Sequence, residues 1–241
     1  MLKASSKKNR TALSLMIATG VLTLFILSAW GAEESVDDWT QTALSLDTHP
    51  EHGRSLYRQR CAPCHGLDAQ GNASRTIPAL ASQRYAYVIR QLANFSGDER
   101  DSTAMHRVVA GESMRNPQAW ADLAGYLNKL PMLHTAEVGN GTDLQFGRRL
   151  FQEHCAPCHY GDAHGDADGF VPSLRNQHYG YLVTQLHQLA QRARHNVDPE
   201  LLLFIRDLSN GEICAVADYL SRLHGPGRNS KSMRSDGTVV D

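Results

Sequence analysis

What this chain has least of is net charge. Its 24 Lys and Arg stand against 25 Asp and Glu, a formal charge of -1 at pH 7, so no overall field draws it to nucleic acid and any partner must be recognised locally. Nor is there a run of strand-like alternation between apolar and polar residues. A P-loop, a nucleophile elbow and paired carboxylates in a recognisable setting are all missing, which removes the commonest nucleotide-dependent and hydrolytic chemistries. With 41 % hydrophobic residues over 241 positions, disordered and collagen-like chains are excluded, and there is apolar material for one large domain or two small ones.

Charge is also missing from one local stretch. "MLKASSKKNR" carries four basic residues, and none of either sign follows between Arg10 and Glu33. The 22-residue run "TALSLMIATGVLTLFILSAWGA" is long for a signal peptide and just long enough to span a bilayer. Cleavage after Gly31 would put Ala29 and Gly31 at the small-residue positions, while Trp30 and the length suit an uncleaved anchor. Residues 1–32 are therefore a signal peptide or a membrane anchor, and either sends the remainder outside the cytoplasm, the periplasm in a bacterium.

Five cysteines in an exported chain would suggest two disulfides and one left over. Four of the five, however, lie in two copies of "CAPCH", at Cys61–His65 and Cys155–His159. Aligned on these copies, 16 of the 32 positions from each first cysteine are identical without a gap. The match extends upstream ("GRSLYRQR" on "GRRLFQEH") and downstream ("ADLAGYL" on "CAVADYL"). The chain is therefore a tandem repeat, with domains expected over 45–131 and 143–225. A Gly-rich linker at 132–142 separates them, and a tail at 226–241 is expected to be disordered. Each domain should have one helix entering the pentapeptide, a second around Tyr85–Phe95 (Tyr179–Gln191) and a third around Gln118–Leu130 (Gly211–Leu223). Leu123 and Leu127, like Val216 and Leu220, would share one face of the third.

C-x-x-C-H is the c-type haem attachment sequence, in which two thiols bond to the haem and the adjoining imidazole binds its iron. A redox dithiol would expect a strand before it, and a zinc site would need a second ligand pair that neither repeat supplies. The cofactors expected are two covalently bound haem c groups, on Cys61 and Cys64 and on Cys155 and Cys158, with His65 and His159 on the irons.

The duplicated pentapeptide, the glycine loop after it, Pro78 and Pro172 in "P-x-L", and the glutamine and tyrosine ahead of "QL" resemble the di-haem cytochromes c of the cytochrome c4 type. The resemblance covers Gly53 to Leu223. It implies an all-α fold of two tandem class I cytochrome c domains, in which first and last helices cross at Gly53 and Tyr57 against Tyr126, and at Gly147 and Phe151 against Tyr219. It also implies that the carbonyls of Pro78 and Pro172 receive the ring N–H of the ligating histidines.

In that family a methionine from a loop before the last helix takes each iron's other face. Met105 stands at the position in the first domain, with Met114 as a second candidate. The second domain departs from the pattern: no methionine occurs from His159 to Lys231, and Leu201 falls about where one should be. Three arrangements are open. His195 replaces the sulfur, with His178, His187 and His224 less well placed; or the site stays five-coordinate or holds water; or a ligand comes from Met132, Met233 or another subunit.

Two weaker features have bland readings, a polar loop for "GDAHGDADG" and a buried free thiol for Cys214. The function expected is single-electron transfer between respiratory redox proteins: a dehydrogenase or quinol-oxidising complex as donor, an oxidase or reductase as acceptor. An enzyme or small-ligand-binding subunit using an open second haem is the alternative, and an anchored subunit of a larger complex is a third reading.

Overall fold

The computed structural model describes residues 35–133, 135–191, 194 and 197–225. The expected signal or anchor segment, the tail and His195 lie outside them. The first described helix, α1 (Val36–Leu44), has no counterpart in the sequence expectations. Each repeat then enters its pentapeptide through a helix that changes pitch. α2 (Pro50–Leu56) passes through a π-helical turn (Tyr57–Cys61) into α3 (Ala62–His65). Pro63 explains the widening: in a regular helix its ring would collide with the carbonyl of residue 59, to which it has no N–H to offer. In the wider turn the Ala62 N–H reaches back to the Tyr57 carbonyl. α4 (Tyr85–Ser96), α5 (Thr103–Val109) and α6 (Pro117–Lys129) complete the repeat.

The second repeat follows the same order: α7 (Leu144–Leu150), a π-helical turn (Phe151–Cys155), α8 (Ala156–His159), α9 (Tyr179–Ala190), α10 (Pro199–Arg206) and α11 (Asn210–Ser221). α11 opens on a capping box between Ser209 and Glu212, which satisfies amides that the first turn leaves without partners. No strand occurs among the described residues, and none of their helices is long and apolar enough to cross a membrane.

First and last helices of each repeat cross at the expected residues. The Tyr57 and Tyr126 rings lie 5.6 Å apart at 46°, and Phe151 and Tyr219 repeat this at 5.7 Å and 46°. Leu123, Leu127, Val216 and Leu220 are all buried. α1 adds to the first core: Ala43 is buried, Val36 and Trp39 pack against the cluster, and Trp39 lies 5.0 Å from Trp120. The expected linker is tied down rather than free, because the Asp218 carboxylate accepts the amides of Gly139 and Gly141, and His178 Nδ1 accepts that of Glu137.

The two repeats meet through contacts that reproduce each other 94 positions apart. Gln83 donates to the Ser173 carbonyl at 3.0 Å and accepts the Ser173 amide at 2.8 Å; Gln177 does the same to Ala79 at 2.9 and 2.9 Å. Arg84 donates to the His164 carbonyl, and His178 Nε2 to that of Gln70. Arg100 and Arg194 form an antiparallel bridge and share the oxygens of Gln91 and Gln185. Both guanidiniums pull the Tyr87 phenol below its ordinary value, outweighing a desolvation that would raise it.

Candidate haem sites

In both repeats the short helix after the π turn presents the pentapeptide in one way. The first cysteines are the more enclosed, Cys61 buried and Cys155 half-buried, while Cys64 and Cys158 are exposed, and no disulfide joins any of the four. Burial pushes the thiols of Cys61 and Cys155 up, to about 12 and about 11, with the neighbouring cysteine adding to it. A redox dithiol needs the opposite, a thiol whose pKa is lowered.

His65 and His159 are both buried. Each ring Nδ1 lies 3.0 Å from a proline carbonyl oxygen, that of Pro78 and that of Pro172. A carbonyl only accepts, so Nδ1 carries the hydrogen and Nε2 keeps its lone pair. Burial lowers both imidazole pKa values, though the carbonyl contact opposes it. Neutral rings with one nitrogen committed and the other free are the donor state that an iron needs. The glycine that follows, Gly71 or Gly165, lets the proline approach: a Cβ on Gly165, at φ 71°, would sit 2.4 Å from the Pro172 oxygen.

The repeats differ beside this shared frame. Tyr57 donates to the Gly66 carbonyl at 2.5 Å, a bond that Phe151 cannot make, and Tyr160 replaces Gly66 at positive φ. On the other side, Met105 sits on α5 and not in a loop; it is the third residue of that helix, after the Ser102 cap. Leu201 is the third residue of α10, after the Asp198 cap. Helix register therefore puts a leucine where the first repeat has its methionine. Met105 is partly buried against the core cluster that includes Cys61, and Met114 is fully enclosed in it.

Other candidates have structural roles. His178 spends both ring nitrogens, accepting from Glu137 and donating to Gln70. Met132 lies beside Gln83 and Gln177 between the repeats. In the acidic loop Asp162 contacts His164 and Arg175, and no cluster of metal-ligating side chains occurs among the described residues. Cys214 is half-buried, not buried as expected. The phenol of Tyr179 is pushed up to about 12, first by the Cys214 thiol and then by burial.

A family model described as Cytochrome c matches residues 50–131 and 144–224. The chain belongs to the cytochrome c family. The thiosulfate dehydrogenase electron acceptor of Stutzerimonas stutzeri (strain A1501) is 29 % identical to this cytochrome over 198 residues, 75 % of this chain and 90 % of that protein. Cytochrome c4 of Azotobacter vinelandii is 28 % identical over 178 residues, 68 % of this chain and 84 % of that one. Among solved structures, reduced recombinant cytochrome c4 from Pseudomonas stutzeri aligns with a TM-score of 0.66 at 23 % identity, over 74 % of this chain and 100 % of the other. Thiosulfate dehydrogenase (TsdBA) from Marichromatium purpuratum aligns with a TM-score of 0.64 at 26 % identity, over 77 % of this chain and 43 % of that one.

The chain is a di-haem electron-transfer cytochrome of the cytochrome c4 type. It is all-α, carries two covalently bound haem c groups and works with redox partners. Cys61 with Cys64 and Cys155 with Cys158 fit the attachment motif. Nothing in the sequence marks Gln83 and Gln177, or Arg100 and Arg194, as contacts between the repeats. Their identity in both repeats was visible, but identity does not separate a core position from an interface.

Proposed function

We propose that this cytochrome relays single electrons outside the cytoplasm, in the bacterial periplasm, from a dehydrogenase of the thiosulfate dehydrogenase class to a terminal oxidase or reductase. One observation carries the donor: the similarity over 198 residues to a protein named for accepting electrons from that enzyme, and the solved thiosulfate dehydrogenase of similar fold agrees with it. Export rests on the basic flank and the uncharged run at 1–32, with haem attachment as its companion. In the test, reduced thiosulfate dehydrogenase is mixed with the oxidised cytochrome in a stopped-flow instrument. Reduction that saturates with cytochrome concentration supports the reading; no transfer removes this donor and leaves a quinol-oxidising complex to try.

Each haem, when bound, supplies an iron that takes and gives one electron. The chain's own residues hold and tune it. The four pentapeptide cysteines anchor the two groups, and His65 and His159 offer Nε2, kept in one tautomer by Pro78 and Pro172. Met105 offers a thioether in the first domain. In the second, Leu201 places an apolar side chain at the corresponding position, and His195 remains the sequence's candidate for the sixth ligand. Axial identity is a main determinant of potential, with His/Met ligation raising it. With Met105 offered in the first domain and none in the second, the two haems would differ in potential, and one would be the preferred resting place of the electron.

Leu201 also favours a second reading, a small-ligand-binding or catalytic second haem. Carbon monoxide added to the fully reduced protein separates the two. Binding at one haem per chain supports an open second site; no binding shows both irons six-coordinate and makes His195 the residue to substitute.

A further inference from the structure

The glutamines that join the two repeats touch the peptide groups that hold the proximal histidines. The carbonyl that receives the His65 ring N–H belongs to Pro78, and the amide of the same peptide unit belongs to Ala79. That amide donates to Gln177 Oε1 of the opposite domain at 2.9 Å. The Gln177 carboxamide also donates back to the Ala79 carbonyl at 2.9 Å, which fixes its orientation. The mirror arrangement joins His159, the Pro172–Ser173 peptide and Gln83, at 3.0 Å to the ring and 2.8 Å to the side-chain oxygen. Both glutamines are buried, so water does not compete for these bonds.

A peptide group whose N–H is hydrogen-bonded becomes a stronger acceptor at its C=O, because chains of hydrogen bonds polarise one another. A stronger acceptor draws the ring N–H further and makes the imidazole a more basic ligand. A more basic ligand stabilises ferric iron and lowers the potential of that haem. The effect crosses the domain boundary in both directions, since each glutamine sits in one domain and acts on the histidine of the other.

We infer that Gln177 and Gln83 are positioning residues that tune the haem of the opposite domain, Gln177 through Pro78 and His65, Gln83 through Pro172 and His159. The inference rests on His65 and His159 being the proximal ligands, as proposed above. It makes the docking of the domains part of the redox tuning: neither haem has its native potential unless the other domain is in place.

The test is a redox titration of the holoprotein followed by NMR at each proximal histidine, which gives the two midpoint potentials separately. Gln177→Met, which keeps the volume and removes both hydrogen-bonding atoms, should raise the potential of the first haem and leave the second unmoved. Gln83→Met should do the reverse. A shift at neither haem, or at both while the bond between Gln83 (for Gln177→Met) or Gln177 (for Gln83→Met) and its opposite peptide persists, overturns the inference, whereas a shift at both with that second bond also lost is what the inference expects of undocked domains. If the ring signals of His65 and His159 do not respond to the oxidation state of iron, the ligand assignment falls and takes the inference with it, a result distinct from an absent crossed pattern. A measurement on the unaltered protein guards against variants that fail to fold. The amides of Ala79 and Ser173 should be among the slowest to exchange with deuterium, and should show scalar coupling to the side-chain carbonyl carbons of Gln177 and Gln83; rapid exchange without coupling overturns the inference.

Discussion

Gly53 lies against the backbone of Asp122 so closely that a Cβ there would stand 2.0 Å from the Asp122 carbonyl oxygen, and Gly147 stands in the same relation to Ala215. The contact is backbone on backbone, so no side chain can turn aside to make room. Gly53→Ala or Gly147→Ala should force α2 from α6, or α7 from α11, and cost about 3 kcal/mol or more, at the upper end of overpacking effects. Thermal unfolding of the two variants checks this, and a loss under about 1 kcal/mol would mean that the crossing is looser than it stands here.

Met105 and Leu201 occupy one register position on α5 and α10. Leu201→Met should raise the potential of the second haem and abolish any carbon monoxide binding there. Met105→Leu should lower the potential of the first and open it to the gas, because a hydrocarbon side chain offers the iron no lone pair. Spectroelectrochemistry on both variants decides it; a Met105→Leu protein with both potentials unchanged would transfer the ligand role to Met114.

Asp122 gives a pH dependence whose sign can be stated. Its side chain is 1 % exposed. Desolvation alone would raise its pKa, but hydrogen bonds from His52, the His49 amide and Gln118 outweigh it and hold the carboxyl below the usual carboxylate range. A carboxyl lowered in the folded state stabilises that state above its unfolded pKa, and the contribution is lost as pH falls through the folded value. Stability should therefore drop below about pH 4 more steeply in the native protein than in Asp122→Asn. Denaturant midpoints at pH 3 and pH 6 test this: an equal fall in both proteins would acquit Asp122.

Tyr57→Phe removes the bond to the Gly66 carbonyl and makes the first repeat resemble the second at this position. It should cost about 1 kcal/mol, the net worth of one hydrogen bond, without loss of either haem. Denaturant unfolding with haem absorbance as probe reads both; release of the first haem would give Tyr57 a role in retention that Phe151 does not share.

Much of this molecule was legible in one dimension. A covalent attachment motif depends on the spacing of two thiols and a ring along the chain, so "CAPCH" declares itself without any fold. The repeat, the glycines at the crossings and the long helices with one apolar face were legible for the same reason, because each is a local or periodic requirement. α1 and α5 were not, since helices of 9 and 7 residues are held by what they pack on more than by their own propensity. The segment around Gly139 carried the composition of a free linker, yet its amides needed acceptors, and Asp218 supplies them only once α11 is in place. Gln83 and Gln177 show the limit most plainly. Their letters recur at the same position in each repeat, but that each reaches the peptide beside the other domain's histidine is a fact of docking, set where two surfaces meet 94 residues apart.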